Sequence, residues 1–133
     1  MSDYERNKQV LYPIDDDLLT KLGVKEAWDL EDKFEALDRD YSKRDNYFEM
    51  QPTDERYYLA YTLKNYYGGY AGEFGHSRTL TPTEQAKYKE LFEQAFPGLE
   101  VDPTKFRYVD YCYYNGCDAP DFYDAEDEFN KEI

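Results

Sequence analysis

The chain has 133 residues, a net charge of −14 from 16 basic and 30 acidic residues, and an aromatic share of 19% that includes 16 tyrosines. This length and aromatic content exclude a disordered chain and predict one domain over residues 1–133, ending in a mobile acidic stretch, 124–133. This large negative charge opposes direct binding to nucleic acid or to anionic membranes. It favours basic protein surfaces as partners.

The N-terminal part of the chain predicts two strands and two helices. Residues 7–12 (NKQVLY) are a candidate strand, and 14–23 (IDDDLLTKLG) a short helix with acids at its start and Gly23 as its stop. Residues 24–41 predict a longer helix, and 46–50 (NYFEM) a second strand. The apolar stripe of the longer helix, at spacings of 3, 4, 3 and 4, is Ala27, Leu30, Phe34, Leu37 and Tyr41.

The next segments predict two further helices. Residues 53–69 read as a tyrosine-rich helix with Thr53 as N-cap and Gly68 or Gly69 as terminator. The tetrapeptide TPTE (81–84) predicts a capping box that opens a helix through QAKYKELFEQAF.

The C-terminal part predicts a strand pair. Residues 106–114 (FRYVDYCYY) are dense in aromatic residues, and Asn115-Gly116 is a strong hairpin signal, so a strand pair is expected over 106–123. The predicted fold class is therefore α+β, a single small domain in which about four helices pack on a small antiparallel sheet.

The glycine-rich segment 68–80 (GGYAGEFGHSRTL) is a candidate loop. It has no lysine and follows a predicted helix, so it lacks the features of a phosphate cradle, and no nucleotide is expected. A mobile loop of this kind would display Tyr70, Phe74 and His76, which suits contact with a partner as well as no function at all. His76 is the only histidine, which excludes multi-histidine metal sites, and no motif places a nucleophile beside it.

A calcium-like pattern occurs in residues 38–49 (DRDYSKRDNYFE). Asp38, Asp40, Ser42 and Glu49 occupy positions 1, 3, 5 and 12 of an EF-hand-type loop. Lys43 replaces the glycine that the sharp turn requires. We interpret the match as accidental and expect no metal and no cofactor.

The cysteines and the N-terminal residues indicate the cellular compartment. Cys112 and Cys117 are too few for a secreted disulfide framework and are expected as reduced thiols. The N-terminal residues contain no apolar signal-peptide core, and no run of about 18 apolar residues could span a bilayer. A cytoplasmic protein with no membrane contact is therefore expected.

The acidic residues are the strongest functional signal. On a helix over 24–41, Glu26, Asp29, Asp32 and Glu35 would form one row that approximates the spacing of phosphates. A second acidic stretch near the C-terminus is interleaved with aromatic residues that suit an interface. The predicted partner-binding residues are Asp29, Glu31, Asp32, Glu35, Asp38, Asp40, Tyr70, Asp118, Asp121, Tyr123, Asp124, Glu126, Asp127 and Glu128.

In small size, strong acidity, abundant tyrosine and lack of a catalytic motif, the chain resembles the DNA-mimic proteins by which phages and mobile elements block restriction enzymes, repair glycosylases or CRISPR effectors. The resemblance lies in composition and not in any aligned stretch, so it assigns no site residues. It implies a non-catalytic acidic protein that inhibits a nucleic-acid-binding enzyme by occupying its basic groove. The alternatives are an immunity or antitoxin protein that caps a basic nuclease toxin, a calcium-binding or small enzymatic module, and an acidic face that is only solvated.

Overall fold

A computed structural model describes residues 4–67 and 74–114. Three 3-10 turns lie among these residues, at Ala27–Asp29, Glu35–Leu37 and Pro103–Lys105. The strands and helices follow in the order β1 (Tyr4–Ile14), α1 (Asp16–Leu22), α2 (Leu30–Lys33), β2 (Asp45–Pro52), β3 (Tyr57–Tyr67), β4 (Phe74–Thr79), α3 (Pro82–Ala95) and β5 (Arg107–Tyr114).

The strands form one five-stranded antiparallel sheet in the order β2-β3-β1-β5-β4. The pairing of β1 with β3 shifts register between Lys8 and Gln9, so that Leu63 has no partner on β1. Such a bulge increases the local twist of the sheet. Among the described strands, β2 and β4 are the edges.

The helices and turns pack on one face of the sheet, and most of the core lies between the two layers. Phe92 of α3 is fully buried with its ring centroid 4.9 Å from that of Phe106, and Phe48 of β2 contacts Phe96 at 4.9 Å. These edge-to-face aromatic contacts add to the hydrophobic stabilisation of the layer. The opposite face carries a smaller buried cluster of Leu11, Tyr58, Ala60, Val109 and Tyr111.

Several sequence predictions are confirmed. The predicted strands at 7–12 and 46–50 lie within β1 and β2, and the one predicted at 106–114 is β5, which begins one residue later, at Arg107. Helix α1 begins after Asp15, whose carboxylate accepts from the Leu18 amide at 2.8 Å, and ends at Gly23 with φ 71°. Helix α3 begins at the predicted capping box between Thr81 and Glu84. The two helices have local caps, which is why the sequence alone defines where they begin.

The prediction of about four helices on a small sheet is wrong, although the broad α+β class is correct. Residues 57–67, predicted as part of a helix, are strand β3. The hydroxyl of Thr53 accepts from the Arg56 amide in a turn between β2 and β3, instead of capping a helix. Both faces of β3 are buried in its first half, through Tyr58, Leu59 and Ala60, so the alternation typical of a half-exposed strand is absent there.

The predicted continuous helix over 24–41 is also wrong. The chain forms a 3-10 turn, the single helical turn α2 and a second 3-10 turn, with Phe34 extended between the last two at φ −117° and ψ 115°. The ring of Phe34 packs 5.1 Å from that of Phe96. Like charges three and four positions apart, such as Asp29 with Asp32 and Glu31 with Glu35, disfavour a longer helix.

The predicted loop over 68–80 is wrong in part, because residues 74–79 form strand β4. Two ranges lie outside the described residues. The first, 68–73, contains Tyr70. The second, 115–133, contains the predicted Asn115-Gly116 turn, the second strand of the predicted pair, Cys117 and the acidic end. Cys112 is buried in β5. Within the described ranges, no helix is long and apolar enough to cross a membrane.

Candidate protein-interaction surface

Residues 26–40, called the acidic segment from here on, run from the Glu26 turn to the loop before β2. Three apolar side chains hold the segment on the core: Leu30, Phe34 and Leu37 are each no more than 5% exposed. Because these side chains point inward, the acids between them point outward. Asp29 is half-buried, and the exposed acids are Glu26, Glu31, Asp32, Glu35, Asp38 and Asp40.

The structure therefore brings six predicted site residues, Asp29 to Asp40, into one segment, but not into the predicted helical row. The phosphate-like spacing of Glu26, Asp29, Asp32 and Glu35 depended on a continuous helix, and Phe34 interrupts it. The acids are instead presented by successive short turns along one side of the helical layer.

The acids of this segment lack basic partners within the described part of the chain. Its two cations are directed elsewhere: Lys33 lies over the ring of Phe34, and Arg39 stacks on tyrosines. The ion pairs between described residues use other carboxylates, namely Asp15, Asp17, Glu84, Glu93 and Asp110. The charge of the acidic segment is thus left for solvent or for a partner.

Two large exposed aromatic residues flank these acids. Trp28, the only tryptophan of the chain, is 55% exposed, and Tyr41, which directly follows the segment, is 81% exposed. Trp28 rests edge-to-face on Tyr57 at the start of β3, with 6.3 Å between ring centroids. Tryptophan, tyrosine and arginine dominate the energetics of protein interfaces, so exposed rings beside unpaired carboxylates indicate a docking surface.

Arg39 fixes the C-terminal end of the segment. Its guanidinium carbon lies 4.0 Å from the ring centroid of Tyr47 and 5.0 Å from that of Tyr41. Its Nη1 also donates to the backbone carbonyls of Asp40 and Lys43. The arginine thus connects the loop before β2 to the edge of the sheet. Tyr47 is 8% exposed, and burial raises the pKa of its hydroxyl to about 12.

The sheet face opposite the helices carries a hydrogen-bonded polar layer. Gln9, fully buried, donates to Thr62 Oγ1 at 2.9 Å and accepts from the Tyr111 hydroxyl at 2.7 Å. Thr62 donates in turn to Glu49 Oε2 at 2.6 Å. Burial raises the pKa of the Glu49 carboxyl and raises that of Tyr111 strongly. The layer also contains Glu5, Asn7, Gln51, Asn65 and Tyr113.

The residues of the calcium-like pattern are separated by the fold. Asp40 Oδ1 accepts from the Ser42 amide at 3.0 Å and from its hydroxyl at 2.7 Å, and these hydrogen bonds lower the pKa of Asp40. Glu49 lies within β2 and binds Thr62 on the sheet. In residues 4–67 and 74–114 no three metal-ligating side chains converge on one point. His76, predicted in a loop, lies in β4 opposite Asp110 of β5.

Eight predicted site residues lie outside the described residues: Tyr70, Asp118, Asp121, Tyr123, Asp124, Glu126, Asp127 and Glu128. Sequence reasoning missed Trp28 and Arg39. A lone tryptophan between acids at 26 and 29 was a signal for the first, whereas the stacking of Arg39 on Tyr47 depends on tertiary structure. No family model, no curated protein and no solved structure matches this chain.

Proposed function

We propose that this protein is a non-catalytic, cytoplasmic binding protein that docks its acidic segment in the basic groove of a nucleic-acid-binding enzyme, and so inhibits it as a nucleic-acid mimic. One observation carries the proposal: exposed acids without basic partners lie between two exposed aromatic residues, Trp28 and Tyr41.

The chemistry of such a groove is complementary to this surface. Grooves that bind nucleic acid present arginine and lysine to phosphates, and arginine also stacks on aromatic rings. Glu31, Asp32 and Glu35 would take the place of phosphates, while Trp28 and Tyr41 would stack on guanidinium planes. The contact between Arg39 and Tyr41 within this chain is an example of that stacking.

The electrostatics also suit a basic nuclease toxin as the partner, in which case the chain is an immunity protein. The polar layer does not favour an enzyme, because both of its carboxylates are engaged within it: Glu49 accepts from Thr62, and Glu5 accepts from Asn65 and Tyr113. A general acid or base must instead reach the proton that it transfers in a bound substrate.

Capture from a host lysate, with matched variants, tests the proposal. One variant carries Glu31→Gln, Asp32→Asn and Glu35→Gln. Its control carries Glu90→Gln, Asp16→Asn and Glu100→Gln, which remove the same charge from exposed positions elsewhere. We expect the wild type and the control to retain a nucleic-acid-binding enzyme that duplex DNA releases, and the first variant to retain at least tenfold less.

Identification of the retained protein by mass spectrometry separates the two partners, because a toxin and a host enzyme differ in identity. Equal capture by both variants, or capture of proteins that duplex DNA does not release, would contradict a mimic that acts through the acidic segment. Inhibition is then measured as loss of DNA binding by the purified partner.

A further inference from the structure

The outer edge of strand β2 lies beside the acidic segment, and its backbone geometry follows from the turn that ends the strand. The Thr53 amide donates to the Arg56 carbonyl at 2.8 Å, which makes 53 and 56 a hydrogen-bonded pair. Hydrogen-bonded and non-hydrogen-bonded pairs alternate along an antiparallel ladder. Gln51 faces Tyr58 and Glu49 faces Ala60 across the two strands, so these two pairs are also hydrogen-bonded.

The same alternation directs the amide and carbonyl groups of Phe48 and Met50 away from β3. Among the described residues, nothing on the outer side of β2 pairs with these groups, because β2 is the first strand of the sheet. Pro52, which has no amide hydrogen, occupies a position on this outward-facing side. That placement agrees with the general restriction of proline to strand edges.

The edge has few of the features that protect exposed strands from pairing. Residues 46–51 (NYFEMQ) contain no lysine, arginine or proline, although natural edges commonly carry them. Pro52 limits one end of the strand, and Asn46, with φ 55°, bends the other. Five residues, 47–51, lie between these limits and are available to pair with another strand.

We propose that an extended basic segment of the partner adds to the outer edge of β2 as a further strand, in register with Phe48 and Met50. The inference rests on the proposed function and specifies how the partner engages the same surface. Residues 26–56, which contain the acidic segment and β2, carry eleven acidic and five basic residues, so a strand added there meets a net negative surface.

Charge also decides between a basic partner and a second copy of this chain. Pairing of β2 with β2 of a second copy would bring two acidic segments together, and like charges oppose that association. A basic strand gains both the backbone hydrogen bonds and the opposite charge. Main-chain pairing supplies affinity in strand addition, and the flanking side chains supply specificity.

The probe for this inference is a ten-residue peptide of alternating arginine and valine with blocked ends, added to the full chain. Amide hydrogen exchange, followed residue by residue by NMR, reports on pairing. We expect exchange at Phe48 and Met50 to slow at least tenfold when the peptide binds. The amides of Glu49 and Gln51, already paired with β3, should change little.

Two variants of one residue separate backbone pairing from side-chain contact. Met50→Pro removes the outward amide and should weaken peptide binding at least tenfold, whereas Met50→Leu keeps the amide and should bind like the wild type. If Met50→Pro does not fold, exchange at Phe48 and Met50 in the wild type and in Met50→Leu still decides the question.

Three results would overturn the inference. Peptide binding that protects neither Phe48 nor Met50 would leave the proposed function standing but remove strand addition. Protection that appears without peptide and grows with protein concentration would identify a second copy as the occupant. No binding of the peptide at low salt would count against both the strand addition and the basic partner.

Discussion

The guanidinium of Arg39 lies 4.0 Å from the ring centroid of Tyr47, and this contact joins the acidic segment to the edge strand of the sheet. Arg39 comes from the loop that leaves the helical layer, whereas Tyr47 lies in β2 and points to the opposite face. A single side chain therefore connects both layers beside the surface on which the proposed partner docks.

Removal of this contact should loosen the loop without unfolding the chain. Arg39→Ala is expected to lower the free energy of unfolding by about 1 kcal/mol, the usual size of a cation–π contact. The hydrogen bonds to the Asp40 and Lys43 carbonyls are lost with it. Urea denaturation measures the change, and Lys43→Ala, at an exposed neighbouring position, is the control. Equal stability of the two variants would show that the stacking contributes nothing.

The ion pair between Arg6 and Asp110 should be the most important one for stability. Two parallel hydrogen bonds, of 2.9 and 2.8 Å, join them, and the Asp110 side chain is only 6% exposed. Asp110→Asn is expected to cost about 1–3 kcal/mol, as for other buried hydrogen-bonded charges. Asp17→Asn, which breaks the exposed pair with Lys21, should cost much less. Similar costs for the two variants would contradict this ranking.

Glu84 should make stability depend on acid pH. Hydrogen bonds from Arg78 lower the pKa of Glu84 to about 2. Because the folded pKa is depressed, the stabilisation is complete above the unfolded pKa near 4.5 and is lost as the pH falls toward 2. Arg78→Ala should reduce stability at neutral pH and flatten its decline between pH 4.5 and 2, measured by thermal unfolding. An unchanged decline in that variant would assign the acid sensitivity to other carboxylates.

Glu49 should have the opposite effect on stability as the pH falls. Burial raises its pKa above the usual 4.5, so the ionised form destabilises the fold, and stability should increase as the pH falls from neutral toward 4.5. Glu49→Gln should remove this increase and leave the chain as stable as the wild type, or more stable, at pH 7. Glu55→Gln, at an exposed position, is the control. A wild type that loses stability over this range through Glu49 would show that the carboxylate is stabilised.

The sequence predicts those elements whose ends are set locally. Asp15 and Gly23 define α1, and Thr81 with Glu84 defines the start of α3, because caps act within a few residues. Strand β3 was missed because Tyr58, Leu59 and Ala60 cover both of its faces with buried residues. In addition, the Thr53 hydroxyl in the preceding turn accepts from a backbone amide three residues later, as it would in a helix cap. The break at Phe34 is set by packing on Phe96, a contact distant in sequence.

The candidate surface was predictable in part. The density of acids between Asp29 and Asp40 and their outward direction follow from composition and from the buried stripe of Leu30, Phe34 and Leu37. The stacking of Arg39 on Tyr47 and the free edge of β2 could not be predicted, because they depend on tertiary structure and on the order of strands in the sheet.

The salt dependence of binding to the captured partner tests the central claim most directly. We expect the dissociation constant of the wild-type complex to rise steeply between about 50 and 200 mM salt, as it does for phosphates bound in the same groove. The rise should be smaller for the variant with Glu31→Gln, Asp32→Asn and Glu35→Gln. Affinity that is unchanged over this range, or equally salt-dependent in both proteins, would contradict mimicry by the acidic segment.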